Sequence, residues 1–500
     1  MKHTARNAIL TGLLAASMAF SAVPATAFAT PTSSHDVADS TVTISGVKAG
    51  DTVSAYLIAD ADIDANNNLT WKMTTGLPTN YDTIDELSAV ASDGYDFKGV
   101  GTDAQKAAGA IAASSAVAGA TASATTTATS DSAQLTLGSG YYLVRVTNGE
   151  GNNDVVYQNM IVDLTPKAAE NGVDYASHDA VSANAKKEDV NLQKKSHEKG
   201  DTTGFTKTEV KTFSVGDTVP FQITAAVPSY PADAKNAVFT ITDDPDEGLQ
   251  IDADSVKVTV GGKEVTAGEN TYTVTGGGED GAAMSVTFAK SWILANPAAS
   301  VTVTYDAALT AKAKVTKSGE TIDYTNNSAT ITYTPDTNNK QTVTTDVEKV
   351  DVHTYGVEFE KKDPEKNALA GAVFTIYGSD GKAVQRDGKD YTCTSDSKGY
   401  VYFEGLAAGK YTIKETKVPA GYQKVGDFEV TLSDDTAKGD NPATKVTEAN
   451  YDLLGEKVDP KQAVLPTTGD AGTFGITIAG VLLAAGGVML VVGVRRRGQE

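Results

Sequence analysis

Residues 237–244, AVFTITDD, and 300–309, SVTVTYDAAL, set an apolar side chain at nearly every second position, with Thr, Ser or Asp between. Successive side chains of an extended strand point to opposite faces, so this spacing gives each segment one face for a core and one for water. The same period recurs in KTFSVGDTVPFQITAAV (211–227), SVKVTV (255–260), TYTVTG (271–276), AMSVTFA (283–289) and SATITYT (328–334). Gly, Asn and Asp separate these runs and supply the turns. About seven short strands at this spacing are the material of one antiparallel β-sandwich.

Toward the C-terminus the pattern repeats in GVEFEKKD (356–363), AVFTIYG (372–378), GYVYFEGL (399–406), GKYTIKET (409–416) and DFEVTL (427–432). Asp380-Gly381, Asp387-Gly388 and Lys398-Gly399 mark turns between them. Toward the N-terminus, strands are expected near 40–47, 52–58, 134–137, 141–147 and 155–164. The Ala-rich stretch 102–118 reads as a helix, and the low-complexity run SATTTATSDS from Ser123 as a solvated loop. Asn66 to Asn68 reads as a turn that leads to a core aromatic, Trp71.

The two ends are of another kind. Residues 465–500 read LPTTGDAGTFGITIAGVLLAAGGVMLVVGVRRRGQE. A Pro-containing pentapeptide precedes an apolar run, 474–494, long enough at about 1.5 Å per residue to cross a hydrocarbon layer of roughly 30 Å. Arg495, Arg496 and Arg497 then hold the end on the cytoplasmic side. At the other end, Lys2 and Arg6, an apolar stretch from Ile9 to Phe20 and Ala27-Phe28-Ala29 have the order of a secretory signal peptide. What lies between is expected outside the cell, and it is too long for a single sandwich.

Composition excludes several classes. The formal charge is −22, from 42 Lys and Arg against 64 Asp and Glu. Such a surface repels nucleic acid and anionic lipid. The single cysteine, Cys393, allows no internal disulfide to staple an extracellular chain of this length. The five histidines are scattered, so no metal site is expected and no cofactor is implied. The sequence carries neither GxSxG nor HExxH.

The pentapeptide, apolar run and Arg cluster together resemble the cell-wall sorting signal of Gram-positive surface proteins. Over nearly its whole length the chain resembles the sortase-assembled backbone pilins: residues 186–350 their isopeptide-forming middle domain, residues 351–450 their Cna B-type domain. The opening Lys361 to Phe374, with LAGAVF at 369–374, and the E-box-like YTIKETKVPAGY at 411–422 carry the second match. The resemblance implies an all-β chain of tandem immunoglobulin-like and Cna B-type sandwiches in an elongated array. It divides the chain into a signal peptide (1–29), an N-terminal pilin domain (30–185), the two domains above, a linker (451–464) and the sorting signal (465–500).

It also implies chemistry. In that family a buried Lys condenses with an Asn, assisted by a buried Asp or Glu. Burial lowers the amine pKa and frees its lone pair, a protonated carboxyl polarises the amide carbonyl, and fixed proximity does the rest. Strand parity places Lys194 with Val190 and Leu192, Asp243 with Phe239 and Ile241, and Asn327 with Ala329, Ile331 and Tyr333, all facing inward. Asn326 competes with Asn327, since Pro335 stands where the family often has another Asn. In the Cna B-type domain, Lys361 shares a face with Val357 and Phe359, and Glu415 with Tyr411 and Ile413. The resemblance makes Asn450 the acceptor there.

A sortase is expected to recognise Leu465, Pro466, Thr467, Thr468 and Gly469, to cleave after Thr468 and to pass its carbonyl to an amine. Lys167, in Asp163-Leu164-Thr165-Pro166-Lys167, is the nearest match to the polymerising lysine, with Lys186 and Lys187 as rivals. The implied partners are a pilin-specific class C sortase, a housekeeping sortase, other copies of the chain, accessory pilins, peptidoglycan and a host or matrix receptor. The expected function is a structural subunit of a covalent, wall-anchored pilus rather than an enzyme. The alternative is a wall-anchored or pilus-tip adhesin that binds a protein or glycan through its first domain.

Overall fold

The computed structural model describes residues 37–91, 102–152, 155–170, 174–185, 187–231, 233–315, 324–335, 340–433, 440–441, 446–447 and 451–462. The expected signal peptide, the sorting pentapeptide and the apolar run 474–494 lie outside them. Among the described residues no helix is long and apolar enough to cross a membrane. The chain divides into two compact units. One comprises 1–97, 103–146 and 159–185, the other 98–102, 147–158 and 186–500.

In the first unit, Ser40–Ser45 is flanked by Val181–Asn184 in parallel and Ser132–Leu137 in antiparallel. A second sheet runs Leu69–Met73, Thr52–Ile63, Gly140–Thr147, Met160–Leu164, with Ala124–Thr127 also paired to Thr52–Ile63. Two helices, Ile84–Ala91 and Asp103–Ala113, bring Leu87, Ala107, Ala108 and Ile111 against Ile58, Tyr141, Leu143 and Ile161. The first helix opens on a capping box. The Thr83 N–H donates to Glu86 Oε2 at 3.1 Å, and the Glu86 N–H to Thr83 Oγ1 at 3.4 Å. Trp71 packs against this core with its ring 5.4 Å from that of Tyr141.

Two expectations need correction here. The threonine-rich run is not wholly loop: Ala124–Thr127 is a strand, since β-branched side chains suit an extended edge and Thr125 meets Ser54 across it, 3.1 Å between hydroxyls. Residues 155–164 are not one strand either. Val155–Tyr157 pairs with Lys187–Asp189 and Met160–Leu164 with Gly140–Thr147, the break falling at the buried polar pair Gln158 and Asn159.

The second unit holds two sandwiches, named in chain order after the sheets of the first unit as the second and the third. One sheet of the second sandwich runs Leu192–Ser196, Thr218–Ala226, Ser300–Leu309, Leu249–Val260, Lys263–Val265. The facing sheet runs Glu209–Val210, Glu348–Val352, Thr325–Tyr333, Phe239–Pro245, Met284–Phe288, Tyr272–Gly276, with Val343–Thr344 on Thr325–Tyr333. Phe221, Ile223, Phe239, Ile241, Val303 and Ile331, all essentially without exposure, fill the space between.

The other sandwich packs Tyr400–Leu406, Tyr355–Lys362, Tyr451–Val458 against Thr392–Thr394, Val373–Gly378, Gly409–Lys417, Phe428–Leu432. Its core is built on Phe359, Phe374, Ile376, Phe403 and Ile413. The stretch expected as a linker after Asn450 therefore supplies a strand. Tyr451–Val458 runs parallel to Tyr355–Lys362, because Leu454 packs on the core and the backbone completes that sheet. The two sandwiches meet through backbone: the Val215 N–H donates to Gly405 O at 2.8 Å and the Ala408 N–H to Lys211 O at 2.7 Å.

Candidate functional site: two buried lysines

In the second sandwich Lys194 lies on Leu192–Ser196, whose alternating burial turns Leu192, Lys194 and Ser196 inward. Asp243 lies on Phe239–Pro245 and Asn327 on Thr325–Tyr333, neighbouring strands in which Pro245 stands opposite Asn327. All three side chains have no exposure. Lys194 Nζ is in direct ion-pair contact with Asp243 Oδ2. Tyr305, on Ser300–Leu309 of the same sheet as Lys194 and facing the sheet of Asp243 and Asn327, joins them. Its hydroxyl accepts from Lys194 Nζ at 2.5 Å and from Asn327 Nδ2 at 3.2 Å, and donates to Asp243 Oδ2 at 2.5 Å. The Lys194 ammonium lies 5.1 Å from the centroid of the Phe221 ring and 5.3 Å from that of Tyr305.

Burial decides the electrostatics. It pushes the Lys194 amine down, against the attraction of Asp243, and pushes the Asp243 carboxyl up, against Lys194. Both shifts favour the neutral amine beside the neutral acid. Asp243 Oδ1 and Asn327 Oδ1 have no hydrogen-bond partner, an arrangement a proton on Asp243 would relieve. Asn326 faces the other way: it is half-buried, and its backbone N–H donates to Asp246 Oδ2 at 3.0 Å.

In the third sandwich Lys361 is likewise without exposure, at the end of Tyr355–Lys362. Its backbone carbonyl sits so close to Gly399, at φ +87°, that a Cβ there would meet it at 2.4 Å. Glu415, on Gly409–Lys417, is 3% exposed and accepts from the Val425 N–H at 2.9 Å. Burial lifts its carboxyl to about 7, opposed by that N–H and by Lys361 and reinforced by Asp459.

Asp459 was not singled out from the sequence. It follows Tyr451–Val458, has no exposure, and touches Lys361 Nζ through Oδ1. Neither of its oxygens has a well-oriented hydrogen bond, nor has Glu415 Oε1. Its backbone N–H donates to Lys362 O at 3.0 Å, fixing it beside the lysine. Asn450 lies outside the described residues. Tyr451, next in sequence, pairs with Gly356, about 16 Å along the strand from Lys361. No alternation in the sequence marks Asp459, since the residues that share its parity, Gly455 and Lys457, are neither apolar nor buried.

Lys167 stands at the start of the two-residue strand Lys167–Ala168, half-exposed, with Nζ 2.6 Å from Asp179 Oδ2. The preceding turn is fixed by Asp163, whose Oδ1 accepts from the Thr165 N–H at 2.8 Å and whose Oδ2 accepts from the Tyr141 hydroxyl at 3.1 Å. Lys186 and residues 465–469 lie outside the described residues. Cys393 is free, its thiol on Tyr402 O at 2.8 Å. Among the described residues no group of three His, Cys, Asp or Glu could hold a metal.

Residues 355–446 match the prealbumin-like fold domain family, and residues 457–500 the LPXTG cell wall anchor motif. The chain is 28% identical over 238 residues to the trypsin-resistant surface T6 protein of Streptococcus pyogenes serotype M6, a match that spans 45% of this chain and 43% of that protein. Among solved structures it is similar in fold to the T6 backbone pilin of the same organism, with its modular three-domain structure, at a TM-score of 0.58 and 18% identity over 86% of this chain and 100% of the other. The full-length major pilin SpaD of Corynebacterium diphtheriae gives a TM-score of 0.50 at 17% identity over 85% of this chain and 98% of that one. In fold the chain is thus similar to backbone pilins of Gram-positive bacteria, and it carries a match to the LPXTG cell wall anchor motif.

Proposed function

We propose that this chain is a structural backbone subunit of a covalently polymerised pilus anchored to the cell wall, where it holds the cell to host or matrix surfaces. The observation that carries the reading is a backbone-pilin fold that closes on an LPXTG anchor in one chain. A pilin-type sortase cleaves after Thr468 and joins its carbonyl to Lys167 of another copy. A housekeeping sortase passes the last subunit to peptidoglycan. Support for Lys167 is its half-exposed amine at the end of a turn braced by Asp163.

Within each subunit two self-made amide bonds replace the missing disulfides. Lys194 condenses with Asn327, Asp243 assisting, and one ammonia leaves. Lys361 condenses with Asp459, and one water leaves. Glu415 supplies a proton to an acceptor carboxyl that must be neutral to be attacked. Asn450 is the competing acceptor, and it would release ammonia instead. Intact mass of the ectodomain decides between them: the expected loss is one ammonia and one water, two ammonias would return the bond to Asn450, and an unchanged mass would remove both.

Assembly is read on cells. Protein released from the wall should form a ladder that survives hot detergent and collapses to a monomer in Lys167→Arg, whose guanidinium stays protonated. A monomer alone in wild type would instead leave an anchored adhesin.

A further inference from the structure

The Tyr305 hydroxyl touches both nitrogens that are exchanged when Lys194 bonds to Asn327. A phenol has one proton and two lone pairs. Here the lone pairs accept from Lys194 Nζ at 2.5 Å and from Asn327 Nδ2 at 3.2 Å, while the proton goes to Asp243 Oδ2 at 2.5 Å. The ring cannot swing away. Tyr305 is 2% exposed, stands opposite Phe221 in register and stacks on it with centroids 5.6 Å apart.

We infer that Tyr305 is a catalytic residue of the cross-link in the second sandwich, relaying a proton from the attacking Lys194 amine to the departing Asn327 nitrogen. This rests on the Lys194–Asn327 reading above. The step balances as follows. Asp243 first takes the extra proton of the Lys194 ammonium, which weakens its claim on the phenol hydrogen and lets the O–H turn toward Asn327. Nζ then bonds to Asn327 Cγ as the Cγ–Nδ2 bond breaks. Of the two hydrogens on Nζ, one stays in the new amide and the other passes to the Tyr305 oxygen. The phenol's own proton goes to Nδ2, which leaves as ammonia. Tyr305 ends unchanged and nothing is oxidised or reduced.

The test follows intact mass with time after a pulse of cell-free synthesis of the full ectodomain. Tyr305→Phe keeps the ring stack and loses only the hydroxyl, and it should shed ammonia about 100-fold or more slowly. With the relay gone, its rate should rise with pH where the wild-type rate does not. The near-UV spectrum and the third-sandwich water loss report whether the variant folds. A ring-fluorinated tyrosine at 305 changes the acidity of the hydroxyl and little else, so an unaltered rate there overturns the relay even if Tyr305→Phe does not fold. Equal rates in wild type and Tyr305→Phe overturn the relay alone, leaving the bond in place. Wild type that sheds no ammonia at all removes the Lys194–Asn327 reading, and the relay with it.

Discussion

The second and third sandwiches each bury a lysine completely, but the two lysines touch different things. Lys194 contacts its assisting acid, Asp243, and reaches the acceptor Asn327 through Tyr305. Lys361 contacts the proposed acceptor itself, Asp459, while the assisting acid Glu415 feels the charge of both. The difference follows from the acceptor's chemistry. An amide is neutral already, so the second site needs only somewhere to put protons. A carboxylate resists attack until protonated, so the third site needs an acid that still holds its proton near neutrality. Glu415, lifted to about 7 by burial, is such an acid.

The largest effect should come from opening one bond outright. Lys361→Ala leaves a loop of roughly 100 residues unclosed, which in a chain-entropy account costs about 4–5 kcal/mol. The third sandwich should then melt and be cut by trypsin well before the second, which stays linked; joint melting of both would show that the two do not act separately.

Next, Glu415→Gln and Asp243→Asn should each restore the mass of one bond, a water in the first and an ammonia in the second. Either variant restoring both would break the comparison.

Asp459→Asn sharpens it further. A Lys–Asn and a Lys–Asp condensation give the same amide, so the closed variant should have the mass of closed wild type although its precursor differs. A closed product differing in mass from wild type would place the acceptor elsewhere.

Smaller still is the pH response of a third sandwich that cannot close. With Glu415 at about 7 in the folded chain against an ordinary 4.5, the folded state binds the proton more tightly. Its contribution is therefore whole below about 4.5 and is lost as pH rises to about 7. In Lys361→Met, where the ammonium that draws Glu415 down is gone, the window extends at least that far. Urea unfolding should show about 1–2 kcal/mol less stability at the top of the window than at the bottom. A rise with pH would mean that Glu415 is ionised throughout.

The smallest effect on stability belongs to Lys167, whose pair with Asp179 is at the surface and screened by solvent. Asp179→Ala should leave melting unchanged and alter only the rate at which the ladder grows.

Strand parity read from the sequence put Lys194, Asp243, Asn327, Lys361 and Glu415 on inward faces, and all five are buried. Parity works there because each residue sits in a regular strand between apolar neighbours of known sign. It could not say which buried groups share a site. The helix Ile84–Ala91 had a legible start in Thr83 and Glu86, overshadowed by the strand-rich composition around it.

What the sequence determined by itself is local: the alternation that makes sandwiches, the anchor-like terminus, the absence of disulfides and the inward face of each lysine. Tertiary structure decided which side chains meet. Tyr305 comes to Lys194 from two strands across the same sheet, 111 positions away in sequence, and Asp459 reaches Lys361 only because Tyr451–Val458 returns in parallel beside Tyr355–Lys362. Neither contact has a periodic signature. Each depends on strand pairing and sheet packing between segments distant in the chain, which no short-range pattern encodes.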